Sequence, residues 1–454
     1  MNRRSYLSAA VGGAGVLSGC LSRLPLIGSD VPDRPLPNTP MGSWRQYGAD
    51  GANSSARDVS VPSRGNLAWT LEDYTQCQPA VSDGVVYTTV YDRTDGASAI
   101  ALDAQDGTER WRTALGDSEA ERTIVVDDRC IVPYESDLVA LDRRTGDRVW
   151  TEPIIDRYSL SVVVADEATG TVLVDSIAGI EAYRASNGAR RWQSDPVDYL
   201  AREPAIDDRH AYVVGDVDET PSLVALSLAD GSVRWRRELE DTPEQVAPVA
   251  SPVGVIVSDD GTLVVHDGDT GDRLRELRSF GTDRADAPVS VAFDDGTVFV
   301  TTEYSGAVAL DGETGAERWH IDVPVDYTGG LCVGNETVVF PVEDPEYAPK
   351  QDTISAFDRD SGDLRWHYAF EQQLHSFVST QPVLVDGAVF VTATYIDGRG
   401  VRRRARSREL GPSTGRLSTR GIGQTLPHRL PVPKFGVQIT TPRTRPCRVR
   451  GGRR

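Results

Sequence analysis

The sequence predicts an all-β fold: an eight-bladed β-propeller of four-stranded blades, its last blade closed by an N-terminal strand and, if the tail is frame-shifted, incomplete by one strand. Three observations predict it. First, one phrase recurs, as ALDAQDGTERW (101–111), ALDRRTGDRVW (140–150) and ALDGETGAERW (309–319). Looser copies are AYRASNGARRW, ALSLADGSVRW and AFDRDSGDLRW, ending at Trp192, Trp235 and Trp366; VHDGDTGDRLR ends at Arg275 in place of Trp. Second, the closing positions, counted from Trp69, lie 42, 39, 42, 43, 40, 44 and 47 residues apart. Third, alternating apolar segments such as PAVSDGVVYTTVY (79–91), PAIDDRHAYVVGD (204–216) and PVLVDGAVFVTATY (382–395) accompany the phrase. Four short strands in every 40-odd residues is the pattern of propeller blades.

The chain opens on an export signal. Arg3 and Arg4 form a twin-Arg pair, and the apolar stretch after them is too short to span a bilayer. Twin-Arg signals are receptor-read addresses. LSGC (17–20) resembles a lipobox, so residues 1–20 read as a twin-arginine lipoprotein signal with Cys20 as the lipid anchor. A Pro-rich tether follows over 21–42, a composition that favours extended, semi-rigid spacing.

Residues 43–397 hold the repeats. The opening letters of each phrase alternate as a half-buried strand does. A short polar turn then ends on Gly107, Gly146, Gly188, Gly231, Gly271, Gly315 or Gly362, where positive φ carries no Cβ clash. The outgoing strand carries Trp69, Trp111, Trp150, Trp192, Trp235, Trp319 or Trp366. A single blade cannot cover both its faces, and a Trp between blades buries a large area while its N–H reaches a backbone carbonyl. These residues therefore read as structural. Trp69 lacks strands before it and 382–395 lacks strands after it, so the two fragments are expected to complete one blade. Seven blades is the alternative if they do not pair.

The tail, 398–454, breaks the pattern. It holds 16 basic residues and one acid, no Trp or Tyr, and no strand alternation is read in it. A shifted reading frame, a disordered tail and a basic arm for an acidic partner are the three readings. The first 397 residues carry 32 basic and 67 acidic residues, a net of −35, and the whole chain has only two Lys. Such an acidic, Lys-poor domain resembles proteins of salt-loving archaea, where salt screens self-repulsion. Phosphate would be repelled, which argues against nucleic acid as a partner.

Chemistry-bearing motifs are sparse. The five Cys (20, 77, 130, 332, 447) include no adjacent pair and no CxxC, so no metal site is expected and Cys77, Cys130 and Cys332 read as buried and free, with disulfides as the alternative. The sequence has no HExxH, GxSxG, P-loop or helix-opening GxGxxG. DGDTGD (267–272) lacks the ligand spacing of a calcium loop.

The A-L-D-x-x-T-G-x-x-x-W phrase, repeated over roughly residues 43–397, resembles the quinoprotein (PQQ-like) β-propeller family. That resemblance implies two branches. In dehydrogenases the ring holds pyrroloquinoline quinone and Ca²⁺ near its axis, the quinone stacked between a Trp and a disulfide of adjacent Cys. The other branch is non-catalytic and includes the BamB-type lipoprotein of outer-membrane assembly. Without adjacent Cys, and with Trp44 alone outside the repeat register, the second branch is the better match. The expectation is a non-catalytic binding or scaffolding module without cofactor, exported and held at the outer face of the cytoplasmic membrane through Cys20. Its partner would be another protein or a cell-surface polymer. The alternative is a PQQ- and Ca-dependent dehydrogenase; a sensor of a small sugar or ion is a third reading.

Overall fold

The computed structural model describes residues 35–395, with breaks at 155–162, 242–245, 281–286, 326–329, 345–350, 370–375 and a few shorter positions, together with 432–439. Among the described residues every regular element is a strand, and the strands form eight antiparallel sheets. The innermost strands of the eight are Ala80–Ser82, Ile124–Val126, Val163–Asp166, Ala205–Ile206, Val249–Ser251, Pro288–Asp294, Cys332–Val333 and Val383–Val385. They follow one another around an axis, and the last lies against the first. The molecule is an eight-bladed β-propeller.

Its core is not central. Buried apolar residues form clusters between blades, because a sheet with two apolar faces needs a neighbour on each. Ala80, Tyr87 and Ala101 of the first blade pack on Cys130, Val132 and Leu141 of the second. Val81, Val86 and Ile100 on the other face of the first blade join Val383, Val389 and Phe390 of the eighth, which closes the ring.

The eighth blade departs from expectation. Its strand order is Leu67–Leu71, Val432–Ile439, Ala388–Tyr395, Ser376–Val378, with Val383–Val385 also on Ala388–Tyr395. Trp69 and 382–395 do share a blade, as expected. The tail, however, is not wholly outside the propeller: Val432–Ile439 supplies the third strand, from Tyr395↔Val432 to Ala388↔Ile439 on one side and Leu71↔Phe435 to Leu67↔Gln438 on the other. A gap there would leave two strand edges unpaired. VPKFGVQI places Phe435, Val437 and Ile439 at alternate positions, as a strand can use. Pro433 falls beyond the end of the Leu67–Leu71 pairing, where its missing N–H costs least.

Residues 41–60 form a strap that was not legible as a repeat. It makes one circuit of the ring at the ends of the innermost strands. Met41 O accepts from Asp386 N of the eighth blade, and Ser43–Trp44 pairs with Val81 and Ser82 of the first. Arg45 O accepts from Val125 N of the second. The Gln46 carboxamide bonds both N and O of Ala165 in the third, at 2.6 and 2.8 Å. The carbonyls of Gly51, Ala52, Ser54 and Ser55 accept from Ile206, Ala250, Phe293 and Val333 of the next four blades. Ser60 O returns to Gly387 N of the eighth.

Candidate functional site: the axial chamber

The strap forms the floor of the channel along the axis. The turns joining each innermost strand to the next lie at this end, together with the repeat-phrase turns; the turns joining the second and third strands lie at the other. Two strap side chains meet the segment that precedes the fourth blade's innermost strand. Asn53 Nδ2 donates to the carbonyls of Glu203, Pro204 and Pro248 at 3.3, 3.1 and 3.0 Å. Tyr47 hydrogen-bonds Arg202.

Above this floor a charged cluster crosses the channel. Arg122 precedes the second blade's innermost strand and reaches Glu203 of the fourth, Nη2 to Oε1 at 2.5 Å. Arg202 Nε lies 3.7 Å from Glu203 Oε2, outside hydrogen-bond range. The Glu203 side chain is 3% exposed, yet those of Arg122 and Arg202 keep 30% and 32%. Burial pushes the Glu203 carboxyl up, but Arg122 and Arg202 outweigh it and hold the group below the ordinary Glu value. Burial likewise opposes the Arg202 charge, and Tyr47 and Glu203 more than offset that. Enclosure raises the Tyr47 phenol, so it stays protonated and able to donate. Three buried atoms of this cluster have no hydrogen-bond partner among the described residues: Glu203 Oε2, Arg202 Nε and Asn53 Oδ1. Across the floor, Gln381 Oε1 accepts from Gly48 N and its Nε2 donates to Ser55 Oγ and Leu331 O. Gln78 Nε2 reaches the same Oε1 at 3.4 Å.

The residues singled out in the repeats lie elsewhere, at the outer edge between blades. Each Trp indole donates to a carbonyl at the next blade: Trp69 to Ala104, Trp111 to Arg143, Trp150 to Ala185, Trp192 to Leu228, Trp235 to Gly268 and Trp319 to Arg359. Trp366 donates to Pro62 O, ahead of the N-terminal strand of the eighth blade. Where the Trp is replaced, Arg275 Nε donates to Gly312 O, the equivalent carbonyl. The seven phrase glycines have φ between 70° and 77°. At six of them a Cβ would fall 2.5–3.1 Å from the preceding blade's Trp, as at Gly231 against Trp192; at Gly315, which follows the Arg275 blade, it would meet Leu277 O. Arg3, Arg4 and Cys20 lie outside the described residues. Cys77, Cys130 and Cys332 are buried and free, and burial pushes the thiols of Cys130 and Cys332 up.

The quinone implied by the resemblance does not fit the described residues of this axis. The seven register Trp are engaged at the blade edges, and Trp44 is fully buried in the core beneath the strap. None is placed to stack on an axial ring. The chain has no adjacent Cys pair. Among the described residues the axial charged set holds one carboxylate against two guanidiniums, a donor set that repels a divalent cation rather than ligating one.

A ring of eight four-stranded blades, seven keyed to the next by an indole and one by the Arg275 guanidinium, defines a repeat propeller closed by strands from both ends of the chain. The model of the family described as outer membrane protein assembly factor BamB matches residues 52–193, 176–279 and 278–417, and the chain belongs to that family. It is 26% identical over 181 residues to the BamB of Burkholderia pseudomallei (37% of this chain, 45% of that one). It is 27% identical over 176 residues to the serine/threonine-protein kinase AfsK of Streptomyces griseus (37% and 22%). The matched stretch thus spans less than half of either relative. Among solved structures, the quinohemoprotein alcohol dehydrogenase ADHIIG of Pseudomonas putida HK5 superposes with a TM-score of 0.59 at 16% identity, over 89% of this chain and 82% of that one, a likeness of fold.

Proposed function

We propose that the protein is a non-catalytic, protein-binding propeller, exported by the twin-arginine route and held at the outer face of the cytoplasmic membrane by lipid on Cys20. Family membership supports a binding role, since the family is described as an assembly factor. The observation that carries the reading is where the chain enters the ring. Leu36 is buried against the strap end of the first blade, its carbonyl accepting from Gln105 in a repeat-phrase turn. The described chain therefore begins on the strap-side face of the ring. An anchor on Cys20 would hold that face toward the membrane and leave the opposite rim to a partner. The acidic, Lys-poor composition supports a high-salt setting.

A photo-crosslinking amino acid at exposed Glu219, on the opposite rim, is compared with one at exposed Asp230, in a strap-side turn. The expected result is a discrete protein adduct from position 219 and none from 230, lost from the membrane fraction in C20S. Equal crosslinking from both positions, or a C20S chain that stays in the membrane fraction, would refute the arrangement.

A further inference from the structure

The charged cluster on the axis has a chemistry that the scaffold reading does not use. Two guanidiniums face one carboxylate, so the cluster of Arg122, Arg202 and Glu203 carries one net positive charge inside a domain of net −35. Among the described residues these two guanidiniums share a single carboxylate, and a half-buried cation short of a counter-charge favours an anion beside it. Arg122 and Arg202 both keep accessible surface, so donors remain for that anion. The Tyr47 hydroxyl stands beside Arg202 as a further donor.

A plain anion leaves one atom unexplained. Glu203 Oε2 is buried, charged and without a hydrogen-bond partner among the described residues, and it calls for a donor. Arg202 Nε, 3.7 Å away, calls for an acceptor. One small molecule meets both demands if a carboxylate and a hydroxyl sit on neighbouring carbons. Its carboxylate would take the Arg122 and Arg202 donors, and its hydroxyl would donate to Glu203 Oε2 while accepting from Arg202 Nε. The bound cluster would then be neutral. A zwitterionic amino acid would satisfy the lone pair but leave the positive charge. A polyol would do the same.

We propose that this axial charged cluster binds a small hydroxycarboxylate monoanion, held by Arg122, Arg202 and Glu203 beside the strap. The inference stands apart from the surface role, because it concerns the closed axis and not the rim.

The test is calorimetric titration of the full chain with glycerate, propionate and glycerol, with each complex also read as a Tm shift. Glycerate is expected to bind at least about tenfold more tightly than either of the others. R202Q and R122Q should each weaken it roughly 10- to 100-fold, the range for a hydrogen bond to a charged group. E203Q should remove the preference for glycerate over propionate and tighten propionate, since it leaves two guanidiniums without a counter-charge. If an Arg variant fails to fold, R202K keeps the charge and loses the fork, and should weaken glycerate without abolishing it. Equal binding of propionate and glycerate would mean an anion site only. Binding of glycerol as tight as glycerate, or no response to any of the three up to roughly ten millimolar, would overturn the proposal.

Discussion

Gly231 illustrates what the repeated turn asks of a single residue. Its φ is 73°, and a Cβ would stand 2.5 Å from Cε3 of Trp192. Two costs would therefore add in G231A: backbone strain of about 1–2 kcal/mol and overpacking of about 1–3 kcal/mol. Gly296 separates the two. Its φ is 72°, but nothing lies within 4 Å of its Cβ direction. We expect denaturant unfolding to show G231A losing about 2–5 kcal/mol and G296A only the strain of about 1–2 kcal/mol. Equal losses would mean the indole is not held against the turn. The glycines and tryptophans were legible because the phrase repeats. Their partnership was not, because each Trp touches the Gly of a different copy. The small residue opening the phrase has a role that alternation alone concealed: Ala101, Ala182, Ala225, Ala309 and Ala356 stand directly across the strand pair from Trp111, Trp192, Trp235, Trp319 and Trp366.

The turn as an element is organised by its Asp. Asp142, Asp267, Asp311 and Asp358 accept backbone N–H bonds from residues two and three positions on. At Asp142 and Asp267 those backbone N–H groups hold the carboxyl below the usual range. At Asp311 the largest cause is Arg318; at Asp358 burial opposes the shift and Arg365 with the backbone bonds outweighs it. A carboxyl whose folded pKa is depressed contributes stability that is complete above its unfolded pKa of about 4 and is lost as pH falls through the lower folded value. Acid also relieves the repulsion of the surface, which works the other way. Comparing parent with D311N isolates the turn: the variant's stability should depend less steeply on pH between about 4 and 2. Parallel pH profiles by urea unfolding would contradict it. The eighth blade shows why one element stayed hidden. Sequence reading paired Trp69 with 382–395, since both carried half a blade pattern. The reading of the tail as free of strand alternation is wrong at Val432–Ile439: Phe435, Val437 and Ile439 do alternate, but without the phrase only the need for a partner between two open edges identifies the strand.

At the scale of the whole molecule the strap binds the blades into one unit. Gln46 alone satisfies two backbone groups of Ala165 in the channel wall. Gln46→Ala would leave both without a partner, at about 1–3 kcal/mol each. The expected result is a variant less stable by about 2–6 kcal/mol that still unfolds in one transition. Deleting the strap should split unfolding into more than one transition, because repeats coupled only to their neighbours lose cooperativity. A single sharp transition in the deleted chain would mean the indoles suffice. The axial cluster was invisible to sequence reading for a plain reason. Tyr47, Arg122 and Glu203 lie in three separate periods, and none belongs to the phrase. Only ring closure brings them together.

The strap also has an arithmetic consequence. Repeat proteins grow and shrink by copying or losing whole units. Here a segment that is not itself a repeat carries one docking point for each unit, from Met41 on the eighth blade around to Ser60 on the same blade. A duplicated blade would find no carbonyl reserved for it, and a lost blade would leave one without a donor. The number eight is thus recorded twice in this chain: once in the copies, and once in a short template that counts them.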